Sequence, residues 1–456
     1  MSIIIIGAGE VGYNVARKLS QERKDIIVID KDEEKVERVA ETLDVQAIHG
    51  SGSSISVLKE AGIERAEILI AATNSDEVNM VSCLVAGVQA IVPVKIARIR
   101  DPEYASNEKI LGKEKLDIDL VINTDQEMVN SLLRILDIPG ARDVVDFAEG
   151  RIRIASFMVE PGNPVAGKSL AELRKDYSNL ELVVVAIYRD HRVIIPRGKD
   201  RLKERDLVYV LGESAAISQF LASFRDRKGV APPTKVMIFG GGNVSLLLAK
   251  ALEERGVATK VIEPDIERCQ YLAQQLDKAI VLKGDFTSHD LLEEEHVREM
   301  DAFIALTEDE DRNILLALLA KTMGARRVIA SINRVSFAPL AYQTGVDVVV
   351  SPPLLAVNRI LQYIRKGKIL NVAILPEEQA EVIETVAMET SDIIERPLKD
   401  LKLPSGILIG AILREGQVII PRGESVILPG DKVTLVASSA AIPQLEKFLT
   451  VKLEYW

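Results

Sequence analysis

At 456 residues the chain is too long for one hydrophobic core, and three or four domains are expected. A formal net charge of -11 argues against nucleic-acid binding, and 47% hydrophobic with 27% charged residues is the balance of a soluble globular protein. The two cysteines, Cys83 and Cys269, sit in apolar helical patterns, which excludes a disulfide framework and fits reduced core residues in the cytosol.

The first segment alternates short apolar runs with helical periodicity. Strands are predicted at 3–6, 26–29, 45–49, 68–71, 94–99 and 120–122, and helices at 11–19, 33–43, 54–61, 79–88 and 102–112. Strands without polar alternation, separated by helices, are buried on both faces and indicate a parallel doubly wound sheet. The apolar N-terminus runs straight into a glycine turn, without a basic n-region or cleavage site, so no signal peptide is expected. The most membrane-like stretch, 78–97, contains Asn79, Gln89, Pro93 and Lys95. It reads as a buried helix and strand rather than the roughly 20 apolar residues of a span. A helix over 127–136 follows, ended by Pro139-Gly140.

From about Val144 the texture changes to short alternating strands, predicted at 151–159, 182–188, 192–195 and 207–211, with a helix at 215–224. Arg189-Asp190-His191 is a hairpin turn, and the charged, proline-containing 225–233 is the predicted linker. The second half repeats this order, with strands at 235–239, 258–262, 279–282, 302–306, 328–331 and 346–350 and a β-rich module over 371–449. The predicted domains are therefore 1–140 and 232–366, both Rossmann-like, with 141–228 and 367–456 as their small α+β companions.

The duplication is visible in the residues. Ile3-Ile4-Ile5-Ile6-Gly7-Ala8-Gly9-Glu10-Val11-Gly12 reappears as Val236-Met237-Ile238-Phe239-Gly240-Gly241-Gly242-Asn243-Val244-Ser245. Asp30 plus 233 is Glu263, the same shift that relates Gly7 to Gly240, and Val193 to Gly198 recurs residue for residue as Val418 to Gly423. One glycine fingerprint is weak; two in register, each with the same second module, describe an architecture.

In the first copy, Gly7 permits the tight turn, Gly9 lets backbone approach a pyrophosphate, and Gly12 allows close helix–sheet packing. The helix opening at Glu10-Val11 offers amide groups to phosphate, and Asp30, followed by Lys31, can accept ribose hydroxyls while repelling a 2′-phosphate. In the second copy Gly240 and Gly242 stand, followed by Asn243 and Val244, Ser245 occupies the third glycine position, and Glu263 replaces Asp30. Further candidates lie at later strand ends, where open α/β sheets bind ligands. Gly50 and Ser51 align with Gly284 and Asp285; Ala72, Thr73, Asn74 and Asp76 align with Leu306, Thr307, Glu308 and Glu310; Asn79 aligns with Asn313. After the fifth strand, Arg98 and Arg100 align with Ile332 and Arg334. Arginine grips phosphate in a bidentate fork, so the first site is expected to bind triphosphates more tightly. The acid run 308–311 at the second site is a candidate for a divalent cation, although acids at a helix start are ordinarily a solvated, dipole-favoured terminus.

These features together resemble the RCK/KTN family of potassium-transport regulators over essentially the whole chain. The resemblance rests on Gly7, Gly9 and Gly12, on Asp30, on Ala71-Ala72-Thr73 with Asp76 and Asn79, and on Ile96 to Pro102. It implies two Rossmann-like doubly wound parallel-sheet domains, each followed by a small α+β RCK-C domain. It also implies binding of NAD(H), ATP or ADP, with 127–136 as a crossover helix. Tandem members are similar to a homotetramer presenting eight RCK units as a ring. That ring is peripheral on the cytoplasmic face of the inner membrane, beneath an integral-membrane potassium channel or transporter subunit of the TrkH/TrkG type. A regulator of another cation transporter stays open. An NAD-dependent dehydrogenase would need a proton-transfer group and a substrate domain, and His49, His191, His289 and His296 form no catalytic pair.

Overall fold

Ile3, Ile4, Ile5 and Ile6 are all buried, which places this strand in the interior of a sheet covered on both faces. The computed structural model describes residues 2–21, 24–105, 107–112, 115–222, 231–285, 289–364, 369–375, 379–442 and 444–445. Strands β1 (Ser2–Ile6), β2 (Asp25–Asp30), β3 (Gln46–His49), β4 (Ile68–Ala71), β5 (Val94–Arg98) and β6 (Leu120–Ile122) form a parallel sheet ordered β3-β2-β1-β4-β5-β6. The chain order reverses direction beside β1, so the crevice between the ends of β1 and β4 is the topological switch point. Helices Glu10–Gln21, Glu33–Thr42, Ile55–Glu60 and Asp76–Gln89 connect these strands. The helix expected over 102–112 is two short ones, Pro102–Ala105 and Glu108–Leu111. Helix Thr124–Asp137 follows β6.

The next five strands pair antiparallel, and in place of the expected alternation they carry unbroken buried runs such as residues 184–187. They are β7 (Asp143–Phe147), β8 (Ile152–Met158), β9 (Leu182–Arg189), β10 (Arg192–Ile194) and β11 (Leu207–Gly212), ordered β10-β9-β11-β8-β7. Two elements here were not anticipated: β7, and the helix Leu170–Asp176 with a Ser169/Glu172 capping box. Helix Ser214–Ala222 ends the module, and most of the predicted linker, 225–230, lies outside the described residues.

The second copy repeats both patterns. Strands β12 (Lys235–Phe239), β13 (Ala258–Glu263), β14 (Ile280–Lys283), β15 (Ala302–Ala305), β16 (Val328–Ser331) and β17 (Val348–Val350) are parallel in the order β14-β13-β12-β15-β16-β17. Strands β18 (Ile369–Ile374), β19 (Ala380–Val386), β20 (Ile407–Arg414), β21 (Gln417–Ile419) and β22 (Lys432–Ser438) form the antiparallel sheet β18-β19-β22-β20-β21. The fold is thus two Rossmann-like sheets, each followed by a small antiparallel α+β module.

By compactness the chain forms two units, one from residues 1–130 and 235–363 and the other from 131–234 and 364–456. The first contains the two parallel sheets, where Arg359 meets Glu127 at 3.9 Å. The second contains the two antiparallel sheets, which share a core that includes Phe147, Ile152, Val185 and Leu211 with Ala373, Leu375, Val382 and Val436. Hydrogen bonds stitch the modules: Ala148 N–H donates to Glu384 at 3.0 Å and Asn371 Nδ2 to the Asp146 carbonyl at 2.8 Å. Both cysteines are free and buried, and burial pushes the Cys83 thiol up to about 12. No described helix is long and apolar enough to cross a membrane.

Candidate functional site

The three glycine positions of the first turn serve three different physical needs. Gly7 has φ +101°, and a Cβ there would lie 3.0 Å from the Ala72 carbonyl oxygen. A Cβ at Gly12 would fall 1.8 Å from the Gly7 carbonyl oxygen, so this glycine closes helix onto strand. Gly9 has nothing within 4 Å of a built Cβ, and neither does Gly242 in the second copy. The open space therefore lies over the middle glycine, where the first-turn amides of Glu10–Gln21 and Asn243–Glu254 lack intrahelical acceptors. Ser245 stands fully buried at the third position of the second copy, its hydroxyl without a partner.

Each acid at the end of the second strand braces its own turn. Asp30 accepts the Ala8 N–H at 2.5 Å and the Asp32 N–H at 2.9 Å; Glu263 accepts from Gly241 and, at 3.0 Å, from Asp265. A carboxylate has about four lone-pair positions, so both retain capacity for hydroxyl groups. The Lys31 carbonyl lies 3.0 Å from His49 Nε2, which accounts for that histidine. Two arginines that motif reading missed guard the turns. Arg38 lies 3.4 Å from Glu10 and covers the Tyr13 ring; Arg268 donates to the Gly241 carbonyl and to Asn243 Oδ1 and covers Tyr271. No spacing rule marks them, because they reach back from the following helix.

Other candidates turn out to be shaped by packing. A Cβ at Gly50 would meet Val57 at 2.7 Å and one at Gly284 would meet Leu291 at 2.1 Å. Ser51 Oγ is 2.9 Å from Ser53 Oγ, and Asp285 follows the end of β14. Ala72 and Leu306 continue the sheet, donating to the Ile6 and Phe239 carbonyls, each at 2.8 Å. Asn79 is fully buried and clips strand end to strand end: it accepts from the Thr73 amide and hydroxyl and donates to the Thr73 and Arg98 carbonyls. Asn313 makes the same four contacts with Thr307 and Ser331.

That clip corrects the alignment of the arginines. Asn79 reaches the Arg98 carbonyl, whereas Asn313 reaches that of Ser331. Ala71 pairs with Ala97 and Ala305 with Ala330, so the shift is 234 on one strand and 233 on the next. The lost residue lies between them: helix Asp76–Gln89 has 14 residues and helix Glu310–Thr322 has 13. The counterparts of Arg98 and Arg100 are therefore Ser331 and Asn333, and Arg334 occupies the place of Asp101. The second site has neither arginine.

The carboxylates at the helix starts show the consequence. Asp76 accepts the backbone N–H groups of Arg100 and Asp101, both at 2.8 Å; Glu310 accepts those of Asn333 and Arg334 at 2.7 and 2.8 Å. With one more methylene, Glu310 also reaches the Arg334 guanidinium, and Asp311 adds a contact at 3.6 Å. Burial pushes the Glu310 carboxyl up, but the Arg334 amide and guanidinium outweigh it and hold it low. In the first copy, Arg98 and Arg100 bind only the neutral Asn74, through Oδ1 at 3.1 Å and the carbonyl at 2.9 Å. Neither forms an ion pair among the described residues, and Arg98 Nε and Asp76 Oδ1 are buried without partners. Burial, reinforced by neighbouring Arg100, pushes the Arg98 guanidinium down; burial pushes the nearby Asp125 carboxyl up against the pull of both arginines. In the acid run of the second copy, Asp309 caps its helix through the Arg312 N–H at 3.1 Å.

Comparison with known proteins agrees with this duplicated arrangement. The TrkA-N domain family matches residues 3–124 and 236–352, and the TrkA-C domain family matches 154–225 and 382–450. The chain is 37% identical to the Trk system potassium uptake protein TrkA of Azorhizobium caulinodans, covering 100% of both. Among solved structures it is similar to the GsuK RCK domain (TM-score 0.60, 19% identity, 98% of this chain and 94% of that one). It is likewise similar to the GsuK channel bound to NAD (TM-score 0.60, 19% identity, 98% and 78%). The chain belongs to the TrkA family of Trk system potassium uptake proteins.

Proposed function

We propose that this chain is the nucleotide-sensing regulatory subunit of a potassium-uptake system, binding NAD(H), ATP or ADP in its two Rossmann-like domains and gating an integral-membrane partner. The observation that carries the reading is the open, amide-lined space over Gly9 and Gly242, with an acid at the end of the neighbouring strand in each copy. GsuK, which shares the fold, is a channel with NAD bound. Membership of the Trk system family supports regulation rather than turnover.

The first site favours a terminal phosphate. Arg98 and Arg100 form no ion pair among the described residues, and buried Arg98 Nε has no partner. A ligand shifts a conformational equilibrium only through differential affinity, and ATP and ADP differ by one phosphate. Arg98 or Arg100 is the group that senses it. Self-association into a ring is supported by an apolar stripe along helix Asp76–Gln89 and its exit: Val81, Leu84, Val88 and Ile91 are exposed, Ile91 at 97%.

A thermal-shift panel with ATP, ADP, NAD and NADH, combined with native mass measurement, tests the proposal. Ligand at 100 times its dissociation constant adds about 2.7 kcal/mol. A monomer without any nucleotide response refutes the reading, and an ATP/ADP affinity ratio unchanged by both Arg98→Ala and Arg100→Ala refutes the sensor assignment.

A further inference from the structure

The two antiparallel modules are duplicates that pack on one another, yet the residues that meet are not the same. β9 and β20 each carry a bulge. Val185 is passed over between the pairs Ala186–Tyr209 and Val184–Val210, and Gly410 between Ala411–Thr434 and Ile409–Leu435. The shift of 225 that takes Val193 to Val418 also takes Val185 to Gly410. A valine therefore suits the bulge, and Gly410 has no left-handed φ that would call for glycine. The reason lies across the contact. A Cβ at Gly410 would stand 2.9 Å from Leu211 Cδ1 and 3.3 Å from Val185 Cγ1, and both of these residues are fully buried. Equivalent positions that touch lie on a local twofold axis, so two first modules would set valine against valine there.

The hairpins repeat the pattern. Arg151 donates to the Gly416 carbonyl at 2.5 Å, and Gln379, which occupies the same place before the second module's strand, donates to the His191 carbonyl at 2.7 Å. His191 keeps a side chain at φ +61°, whereas a Cβ at Gly416, its counterpart, would lie 2.5 Å from Arg151 Nη1. Glycine stands in the second module at each point where the first module presents a large side chain.

We propose that Gly410 and Gly416 select the partner of this contact face: they admit Val185 and Arg151, and so pair the first module with the second rather than with another first module. Each chain satisfies its own antiparallel contact face and leaves self-association to its parallel-sheet domains. All four residues lie in the antiparallel modules, so this selection is independent of nucleotide binding.

The test gives the second module the first module's residues in the full chain and follows the thermal midpoint by calorimetry. Gly410→Val should lower the midpoint by about 4 °C or more, as overpacking does in a unit of this size. Val185→Gly alone should lower it too, but the transposed pair should lose less than Gly410→Val alone. Gly416→His should lower it by about 2 °C or more, and adding Arg151→Gln, which recreates the Gln379–His191 pair, should recover at least half of that loss. If Gly410→Val does not fold, Gly410→Ala with Val185→Ala poses the same question with a smaller intrusion. Midpoints unmoved by Gly410→Val and Gly416→His overturn the proposal, because identical faces would then pair equally well. Losses that simply add across the contact overturn it as well, since each glycine would then serve only its own module's backbone.

Discussion

Replacing Gly12 by alanine separates the structural from the ligand-facing glycines. The added Cβ would sit 1.8 Å from the Gly7 carbonyl oxygen, where ordinary contact begins at 3.4 Å, so backbone must yield by about 1.6 Å (3.4 − 1.8). Overpacking of this kind typically destabilises by about 1–3 kcal/mol, and here the obstacle is backbone, which places the expectation at the upper end. The variant still folds, because Ser245 shows that the duplicated turn accommodates a Cβ at this position. Gly9→Ala meets nothing within 4 Å, and its stability should stay within about 0.5 kcal/mol of the parent. It should nevertheless weaken nucleotide binding, since the methyl group enters the space a pyrophosphate would fill. Thermal unfolding with and without ATP measures both effects. A Gly12→Ala chain as stable as the parent, or a Gly9→Ala chain that is destabilised yet binds ATP unchanged, refutes the assignment of roles.

Three further outcomes are expected. Asn79→Ala removes four hydrogen bonds around a buried strand end and should cost about 2–4 kcal/mol, with faster hydrogen exchange at the Thr73 amide; unchanged exchange would refute the clip. Burial raises the Glu384 carboxyl, with Glu149 adding to it and the Ala148 N–H and Lys432 opposing. A raised acid contributes stability that is present below the ordinary carboxylate range and lost as pH rises through the folded value. Glu384→Gln, which still accepts the Ala148 N–H, should therefore gain on the parent as pH rises above the ordinary carboxylate range, and a constant or shrinking difference would contradict the sign. Cys83, pushed up to about 12 by burial, should resist thiol reagents at pH 8 until the protein unfolds; rapid labelling of the native chain at Cys83 would show the burial to be wrong.

The parallel sheets were legible because their strands are unbroken apolar runs bounded by turns: β4 and β6 fall at the residues expected, and β1, β2 and β3 within one residue at each end. β7 was not, since Asp143-Val144-Val145-Asp146-Phe147 is short, acid-flanked and held by cross-module contacts that no local pattern reveals. The Ser169/Glu172 capping box was readable in principle but encloses a helix of only 7 residues. The arginine register was hidden for a different reason. One helix is a residue shorter than its copy, and Arg334 falls by coincidence opposite Arg100 when the shift of 234 that relates Gly50 to Gly284 is carried past that helix. The hydrogen bonds of Asn79 and Asn313 and the strand register expose the slip, and with it the loss of both strand-end arginines at the second site.

Equilibrium ATP binding to the parent chain, Gly9→Asp and Gly242→Asp tests the central claim of two unequal nucleotide sites most directly. Tight ATP binding should be lost in Gly9→Asp and nearly unaffected in Gly242→Asp. Equal losses in the two variants, or no ATP binding by the parent, would contradict it.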